Sequence, residues 1–399
     1  MVEMSERLNK PISTNEMERR WAAIRAAMEA EGIDVLLMQN NNDHMGGYVK
    51  YVTDVPANNG YPLTVIFPRD DAMTIVHQGP FDGDRELPVE GNGFIRGVKR
   101  ELTTPSFESA PYTRDYDPAQ ACKALEPFAS ATIGLVGTYQ MSFALVDYVK
   151  RQFPNATYVE ASDMVDQIKV IKSAEEIEFI EGTAAQQDAA MQAVIDQIKP
   201  GMKDSDAAAI ALHVGHNLGS EQGIYLCQSW EIGKPAALGP RHNQNRVIQE
   251  GDSFNMLVEN NGAGGFFTEI GRTIVLGKAT PEQHEEFAFT LEAQRFTLDM
   301  LKPGTPCADI WNAFNEFMAE NDRAEESRLF CHGQGYDLVE RPLIRKDEPM
   351  AIQKNMNIVC HPGYMRGGIQ SWICDNYIIG DNGPGESIHK LPQKIFEVG

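Results

Sequence analysis

Titratable side chains in the second half of this sequence stand at the ends or in the middle of apolar runs. In NIVCHPGYM (357–365), His361 stands between an apolar run and Pro362-Gly363. This pattern is typical of a strand that ends in a turn. Folds often place reactive groups at such strand ends. The residues that share such a position are His242, Glu259, Glu269, His332, His361, Cys374 and Asp375. Histidine and carboxylate groups together could carry general acid–base chemistry or bind a metal ion.

Glu269 and His332 have the clearest individual signals. Glu269 interrupts the apolar run FFTEI (266–270), and a buried carboxylate is costly unless it is paired or bound. Burial would raise its pKa towards the range of a catalytic acid or base, whereas pairing with Arg272 or another cation would make it structural. His332 precedes GQG (333–335), where glycines let a ligand approach the backbone closely. Both residues are therefore candidates for a reactive centre.

For the other candidates, functional and structural interpretations both remain open. His361 could act as an acid, a base or a ligand, or could bond to a neighbouring loop. Glu259 precedes Asn-Asn-Gly and could equally be a solvated turn residue. Cys374 could be a nucleophile beside a histidine, or a small buried apolar residue. Arg241 and Arg341 could hold a substrate carboxylate, although Arg341 suits a solvated surface as well.

The composition limits the classes of partner. Lys and Arg number 35 against 57 Asp and Glu, so the formal charge is −22, which argues against nucleic acid or an anionic membrane as a partner. The sequence contains no apolar run long enough to span a membrane and no signal peptide at its start. Its six cysteines show no paired spacing and suit reduced cytosolic thiols. We therefore expect a cytoplasmic protein that binds neither nucleic acid nor a membrane.

Strands and helices alternate in the first part of the chain. A capping box at Ser13–Glu16 predicts a helix that ends at Gly32. Further elements are predicted as strands at 33–38, 63–67, 73–77 and 132–137 and as a helix through Phe143, Val146 and Val149. The order predicts an α/β domain with a mixed sheet over residues 1–167. A connecting strand near 168–171 and a long helix then open a second domain, 168–399.

A weak internal repeat occurs in the second domain. A predicted helix ends at Lys-Pro-Gly (199–201) and is followed by another with an acidic start, and the same order recurs at Lys-Pro-Gly (302–304). Strands are predicted between and after these helices, at 254–260, 266–277, 357–360 and 372–380. This pattern favours two related halves.

Several motifs resemble, in order, those of the creatinase/Xaa-Pro aminopeptidase family, which has the "pita-bread" fold. The motifs are GDSFNMLVENNGAGGFFTEIGRTIVLG, CHGQGYDLVERP, NIVCHPGY and ICDNYIIGDNG, with KSAEEIEFI at the domain junction. The resemblance covers nearly the whole chain. It implies an α/β (α+β) fold with an N-terminal creatinase-like domain and a C-terminal pita-bread domain that has two pseudo-symmetric halves.

The resemblance also implies where metal ligands would lie. Peptidases of the family bind two divalent metals through two Asp, one His and two Glu. Those five positions fall here on Leu257, Glu269, His332, His361 and Cys374, and only the histidine at 332 is unchanged. Because a dimetal centre needs carboxylates that bridge both ions, we expect no such centre here.

Two interpretations of the centre remain open. The preferred one is metal-free hydrolysis of a non-peptide C–N bond in a small polar metabolite, as in the creatinase and ectoine hydrolase branches. There His332 or His361 would accept a proton from water, and Glu269, with Glu259, would orient or protonate the nitrogen side. In GPRHN (239–243), His242 is similar in position to a catalytic histidine of creatinase.

The runner-up is one transition metal held by Glu259, Glu269, His332 and His361, with Cys374 as a further possible ligand. The dimethylsulfoniopropionate lyases of the family carry an extra acidic ligand at the position of Glu259, so this centre would suit a lyase of a small onium carboxylate. An Xaa-Pro peptidase and a non-catalytic binding protein are further alternatives. Substrate binding is assigned to Arg241, Cys374, Asp375 and Arg341.

The segment GGYVKYVTDVPANNGYP (46–62) is similar to an N-terminal loop that family members present to a partner's active site. Its Tyr, Asn and Gly content suits a binding loop. The resemblance therefore implies a homodimer, with an ordinary surface loop as the alternative.

Overall fold

The chain forms two compact units that divide between Lys169 and Val170. The computed structural model describes residues 10–88, 90–91, 95–105, 109–234 and 237–399. The prediction of no signal peptide falls largely on residues 1–9, which lie outside the described residues. The observed division lies two residues beyond the predicted boundary. We propose that the two units are the N-terminal and catalytic domains of the prediction.

The N-terminal unit is built on one mixed sheet. Its helices are α1 (Thr14–Glu31), α2 (Gly47–Thr53), α3 (Tyr116–Leu125), α4 (Phe143–Gln152) and α5 (Ser162–Lys169). Its strands are β1 (Val35–Asn40), β2 (Leu63–Pro68), β3 (Met73–Gln78), β4 (Gly83–Glu86), β5 (Val98–Thr104), β6 (Thr132–Val136) and β7 (Thr157–Glu160). They pair in the order β4-β5-β3-β2-β1-β6-β7, with β1 antiparallel to β2 and parallel to β6. The side chain of Ser13 caps α1 and Gly32 ends it in a left-handed conformation, as the sequence predicts.

Two segments of this unit differ from the prediction. The connecting strand is predicted near 168–171, but helix α5 extends to Lys169 in its place. The helix forms because Met164, Val165 and Lys169 recur at helical spacing, so one face of the helix is buried. The expected binding loop at 46–62 contains α2, whose residues are all buried. Tyr48, Tyr51 and Val52 therefore pack into the unit, whereas the surface loop is confined to residues 58–61, which are exposed. The homodimer stays a prediction.

The C-terminal unit contains the candidate site. Its helices are α6 (Ala174–Gln197), α7 (Asp204–Asn217), α8 (Pro281–Met300) and α9 (Cys307–Glu320). Its strands are β8 (Gly223–Glu231), β9 (Asp252–Asn261), β10 (Phe267–Leu276), β11 (Cys331–Gly333), β12 (Glu340–Leu343), β13 (Asn357–Cys360), β14 (Gly363–Arg366), β15 (Ile369–Trp372), β16 (Asp375–Gly380), β17 (Gly383–Pro384) and β18 (Phe396–Val398). No helix in the described ranges is long and apolar enough to cross a membrane.

Two related halves make up this unit. In the first half, α6 and α7 share a core with the sheet β18-β10-β9-β8; in the second, α9 shares a core with the sheet β12-β11-β13-β16-β17. The Lys-Pro-Gly turns are equivalent: Gly201 N donates to Ile248 O at 2.9 Å, and Gly304 N donates to Ile352 O at 2.8 Å. The φ angles of these glycines are 93° and 94°, a left-handed conformation that favours glycine. The predicted repeat is therefore confirmed.

The halves meet where β10 passes the segment between β15 and β16. Gly271 N donates to Cys374 O at 3.0 Å, and Glu269 N donates to Asn376 Oδ1 at 2.8 Å. A Cβ atom on Gly271 would overlap the ring of Trp372. A glycine is required here because the two strands approach each other so closely.

Replacing Gly271 by alanine is expected to lower the free energy of unfolding by about 1–3 kcal/mol, because the added methyl group must displace a buried indole. Urea denaturation measures this change. Gly182→Ala in α6 is the matched control, since among the described residues no atom outside its own helix backbone and chain neighbours lies within 4 Å of the added Cβ. This substitution should stabilise by about 0.5–1 kcal/mol through helix propensity. Equal effects of the two substitutions would contradict the close approach at Gly271.

Candidate metal site

Two carboxylates face each other across the hairpin of β9 and β10. The antiparallel register pairs Glu269 directly with Glu259, and both are buried. Burial, and then the neighbouring charge of Glu269, raise the pKa of Glu259 well above its usual value. Burial also raises the pKa of Glu269, to about 7. Like charges on opposed strands repel, so this pair requires a proton or a cation.

Two histidines approach the carboxylates from the second half of the unit. His332 lies in β11, and His361 directly follows β13; their ring centroids are 5.3 Å apart. Nδ1 of His332 lies 2.9 Å from Gly333 O, and since a carbonyl can only accept, Nδ1 carries the proton. That tautomer leaves Nε2 as an acceptor, 3.9 Å from Oε2 of Glu269. The Nε2 atom of His361 is buried and has no hydrogen-bond partner within the described ranges.

Glu269, His332 and His361 each offer a ligand atom, and these atoms all lie within 4.8 Å of one another. Burial lowers the pKa of His332 to about 4. Burial is also the main reason why the pKa of His361 lies well below its usual value. Both imidazoles are therefore neutral near pH 7, as metal ligands must be. Two imidazoles and one carboxylate suit a divalent transition metal with open coordination positions. The unpartnered nitrogen of His361 fits this assignment, because a buried polar atom needs a partner.

A second metal ion does not fit the residues present. Leu257 is buried in an apolar cluster with Val359, Trp372 and Cys374. Burial raises the pKa of Cys374 well above its usual value, so its thiol stays protonated and is a poor nucleophile or ligand. Among the described residues, Glu269, His332 and His361 form the one such metal-ligating group.

Gln334 and Asn376 hold the carboxylates in place. Gln334 Nε2 donates to Oε1 of Glu259 at 3.0 Å and lies 3.5 Å from Oε2 of Glu269. Its Oε1 accepts from Asn376 Nδ2 at 2.8 Å, and Asn376 Oδ1 accepts from the Glu269 backbone. Outer partners of this kind orient metal ligands. The sequence analysis missed both amides, although Gln334 stands between the two glycines that follow His332.

Four predicted site residues lie away from this cluster. Arg241 and His242 border a different cavity of about 430 Å³ beside β8 and α7. Arg341 forms an ion pair with Glu348. Asp375 pairs with Arg272 at 2.8 Å, and both side chains are fully buried. The structural alternative for Glu269, a pair with Arg272, is therefore excluded, since Arg272 is used by Asp375.

A cavity of about 340 Å³ opens in front of the ligands. The side chains that line it are Leu238, Leu257, Glu269, Arg328, His361, Tyr364, Met365, Gln370 and Trp372, with the backbone of Gly363. A volume of this size suits a small molecule. The cluster is thus a candidate metal site beside a cavity of small-molecule size.

The chain belongs to metallopeptidase family M24, whose model matches residues 178–381. It is 23% identical to an Xaa-Pro dipeptidase of Pyrococcus horikoshii over 354 residues, which is 86% of this chain and 96% of the relative. It is 24% identical to a creatinase of a Bacillus species over 417 aligned positions, with 97% and 93% of the two chains covered. An X-Pro aminopeptidase structure from Thermotoga maritima matches with a TM-score of 0.77 and 20% identity, over 96% of this chain and 99% of that one.

These comparisons confirm the predicted family and the pita-bread fold. The chain is a hydrolase of this family, so the lyase alternative loses its support. The prediction of a centre without a metal is wrong. It rested on the loss of bridging carboxylates, but the family model that matches is that of metallopeptidases, and three ligand atoms converge in the structure. The ligand count at the family positions did not reveal that His361 reaches both Glu269 and His332.

Proposed function

We propose that this protein hydrolyses an amide C–N bond in a substrate of about dipeptide size, with one divalent transition metal held by Glu269, His332 and His361. The observation that carries the proposal is the buried Nε2 atom of His361, which has no hydrogen-bond partner within the described ranges. Its ring lies beside the ligand groups of Glu269 and His332. The Xaa-Pro dipeptidases among the relatives support the peptide-like amide as the substrate bond.

A bound metal would supply Lewis-acid activation of water and of the scissile carbonyl. The chain's own groups would do the rest. His332 and His361 act as neutral ligands and not as the proton acceptors first predicted. Glu259 and Gln334 lie around Glu269 and fix the orientation of its carboxylate. The apolar wall at Leu257 excludes water from one side of the cavity and orients the substrate.

A second candidate is hydrolysis of a non-peptide C–N bond, as first predicted. Leu257 favours it, because this side chain replaces a ligand of the dimetal peptidases, and the creatinase relative matches over nearly the whole chain. If the protein hydrolysed creatine or cyclic amides but not Xaa-Pro dipeptides, the result would favour the non-peptide C–N bond over the peptide-like amide.

The purified protein is expected to contain about one transition metal per chain, as the three-ligand set requires. Inductively coupled plasma mass spectrometry measures the content. Removal of the metal by a chelator should abolish hydrolysis of a panel of Xaa-Pro dipeptides and small amides, and re-addition of the same metal should restore it. Metal-free protein with full activity after chelation would overturn the proposal, and two metals per chain would contradict the single site.

A further inference from the structure

Strand β8 forms one edge of the sheet β18-β10-β9-β8. Asn261 N donates to Gln222 O at 3.0 Å, so the even-numbered residues of β8 bond to β9 and the odd-numbered residues turn their backbone groups away from it. Cys227 follows this alternation, because its N donates outward to Gly239 O at 3.1 Å. The odd-numbered residues therefore decide what the edge can bind.

Most of this edge is covered, but a short segment is open. Ser229 N donates to Asp204 Oδ1 at 3.1 Å, and Tyr225 O accepts from Gln244 Nε2 at 2.7 Å. Within the described residues, Gly223 N, Gly223 O and Tyr225 N have no hydrogen-bond partner outside the β8–β9 ladder. Exposed edges in native proteins are commonly covered or charged. The segment from Gly223 to Tyr225 is therefore available for pairing with another strand.

A cavity of about 430 Å³ lies beside the open segment. Small and apolar side chains of α7 form one wall, at Ala208, Ala209 and Leu212, and Ile224 and Leu226 of β8 form another. Extended peptides bind to sheet edges through backbone hydrogen bonds, with pockets that receive alternate side chains. The groove between α7 and β8 offers both features.

The open segment can pair only with the end of another strand. A longer strand would next need Tyr225 O and Cys227 N, and these atoms are bonded to Gln244 and Gly239. The turn 239–244 therefore blocks further pairing along β8. A peptide that pairs with the open segment must end at this turn.

Arg241 lies in the same turn and determines which terminus fits. Its side chain is exposed and borders the cavity, and it forms no hydrogen bond or ion pair within the described residues. A guanidinium attracts a carboxylate and repels an ammonium group. The peptide terminus beside the turn is therefore a C-terminus.

We propose that the groove between α7 and β8 binds the last four residues of an extended peptide, which adds to β8 as a parallel strand. Gly223 O and Tyr225 N flank Ile224 and are the acceptor and donor that one residue of a parallel neighbour requires. The third peptide residue makes these two bonds, the carbonyl of the first accepts from Gly223 N, and the carboxylate of the fourth binds Arg241. This site is separate from the ligand cluster and does not depend on the proposed function.

The test uses acetyl-Ala-Val-Val-Leu as the probe, with isothermal titration calorimetry on the metal-containing protein. Mass spectrometry after each titration checks that the probe is intact. We expect a dissociation constant below about 1 mM. The C-terminal carboxamide should bind about threefold or more weakly, because it loses the charged contact. A methyl group on the amide nitrogen of the third residue should weaken binding about tenfold or more.

The same methyl group on the second residue is the matched control for the peptide. Along an extended strand, successive N–H groups point to opposite sides, so the N–H of the second residue faces away from β8. This probe should bind within about threefold of the parent, since it loses no hydrogen bond.

Variants of the protein locate the site. Ala209→Phe should weaken binding about tenfold or more by filling the cavity, whereas Ala185→Phe, at an exposed position of α6 outside the cavity, should not. Arg241→Gln should reduce the preference for the acid to within about twofold, and Arg345→Gln, which breaks an exposed pair with Asp347, should leave it unchanged. His361→Ala should bind the probe like the native protein.

Failure of the acid to bind at about 1 mM, equal weakening by the two methyl groups, or unchanged binding by Ala209→Phe would each overturn the inference. Loss of binding in His361→Ala would place the probe at the ligand cluster and would overturn it as well. The two methylated probes need no variant, so they test the strand pairing even if a substitution disturbs the fold.

Discussion

His361→Ala is expected to lose the bound metal and to lower hydrolytic activity by more than about 100-fold. The variant keeps Glu269 and His332, but two ligands hold a divalent ion far less tightly than three, and even outer partners of ligands contribute about 10–100-fold in affinity. The backbone of His361, whose N donates to Phe330 O at 2.8 Å, is unchanged by the substitution. Metal content after dialysis against a weak chelator measures the loss.

His242→Ala is the control for this experiment. Its ring borders the separate cavity beside β8, so the variant should keep its metal and nearly all of its activity. If His242→Ala abolished hydrolysis while His361→Ala retained metal and activity, the first assignment of His242 to catalysis would be right and the ligand set wrong.

Arg272→Ala is expected to destabilise the C-terminal unit by about 3–5 kcal/mol, because it leaves Asp375 as an unpaired charge inside the protein. Both partners are fully buried, and Arg272 also donates to the carbonyl oxygens of Cys374 and Leu391. Urea denaturation followed by tryptophan fluorescence measures the effect. Three of the four tryptophans, at 230, 311 and 372, lie in the C-terminal unit.

The exposed pair of Lys354 and Asp381 provides the comparison. Both side chains are more than half exposed, so Lys354→Ala should cost less than about 1 kcal/mol. A loss below about 1 kcal/mol for Arg272→Ala would contradict the structural role of the buried pair. Asp375 would then be available again for the substrate contact that its place in the sequence first suggested.

The strands that carry the site were largely predictable, and their pairing was not. The apolar runs around Glu259, Glu269 and His361 predicted β9, β10 and β13 to within a few residues, because each strand has a buried pattern and a turn signal. The three-residue strand that holds His332 is too short to produce such a pattern. The run at 372–380 predicted one strand where the structure has the end of β15 and then β16.

The candidate site could be predicted only in part, because it depends on how the strands pair. Glu269, His332 and His361 were singled out from their local sequence, and the structure brings them together. The part played by Gln334 depends on the partners that its amide group meets after folding, and that information is tertiary. Glu259 was an even choice between a turn residue and a functional carboxylate, and the register of the hairpin places it opposite Glu269.

The three ligands do not come from the same half of the repeat. Glu269 belongs to the sheet of the first half, whereas His332 lies in the sheet of the second and His361 directly follows one of its strands. An ion bound to all three would therefore act as a removable cross-link between two separately packed cores. The metal concentration would therefore affect the free energy of unfolding of the catalytic unit as well as its activity. At a free metal concentration one hundred times the dissociation constant, binding would add about 2.7 kcal/mol to that free energy.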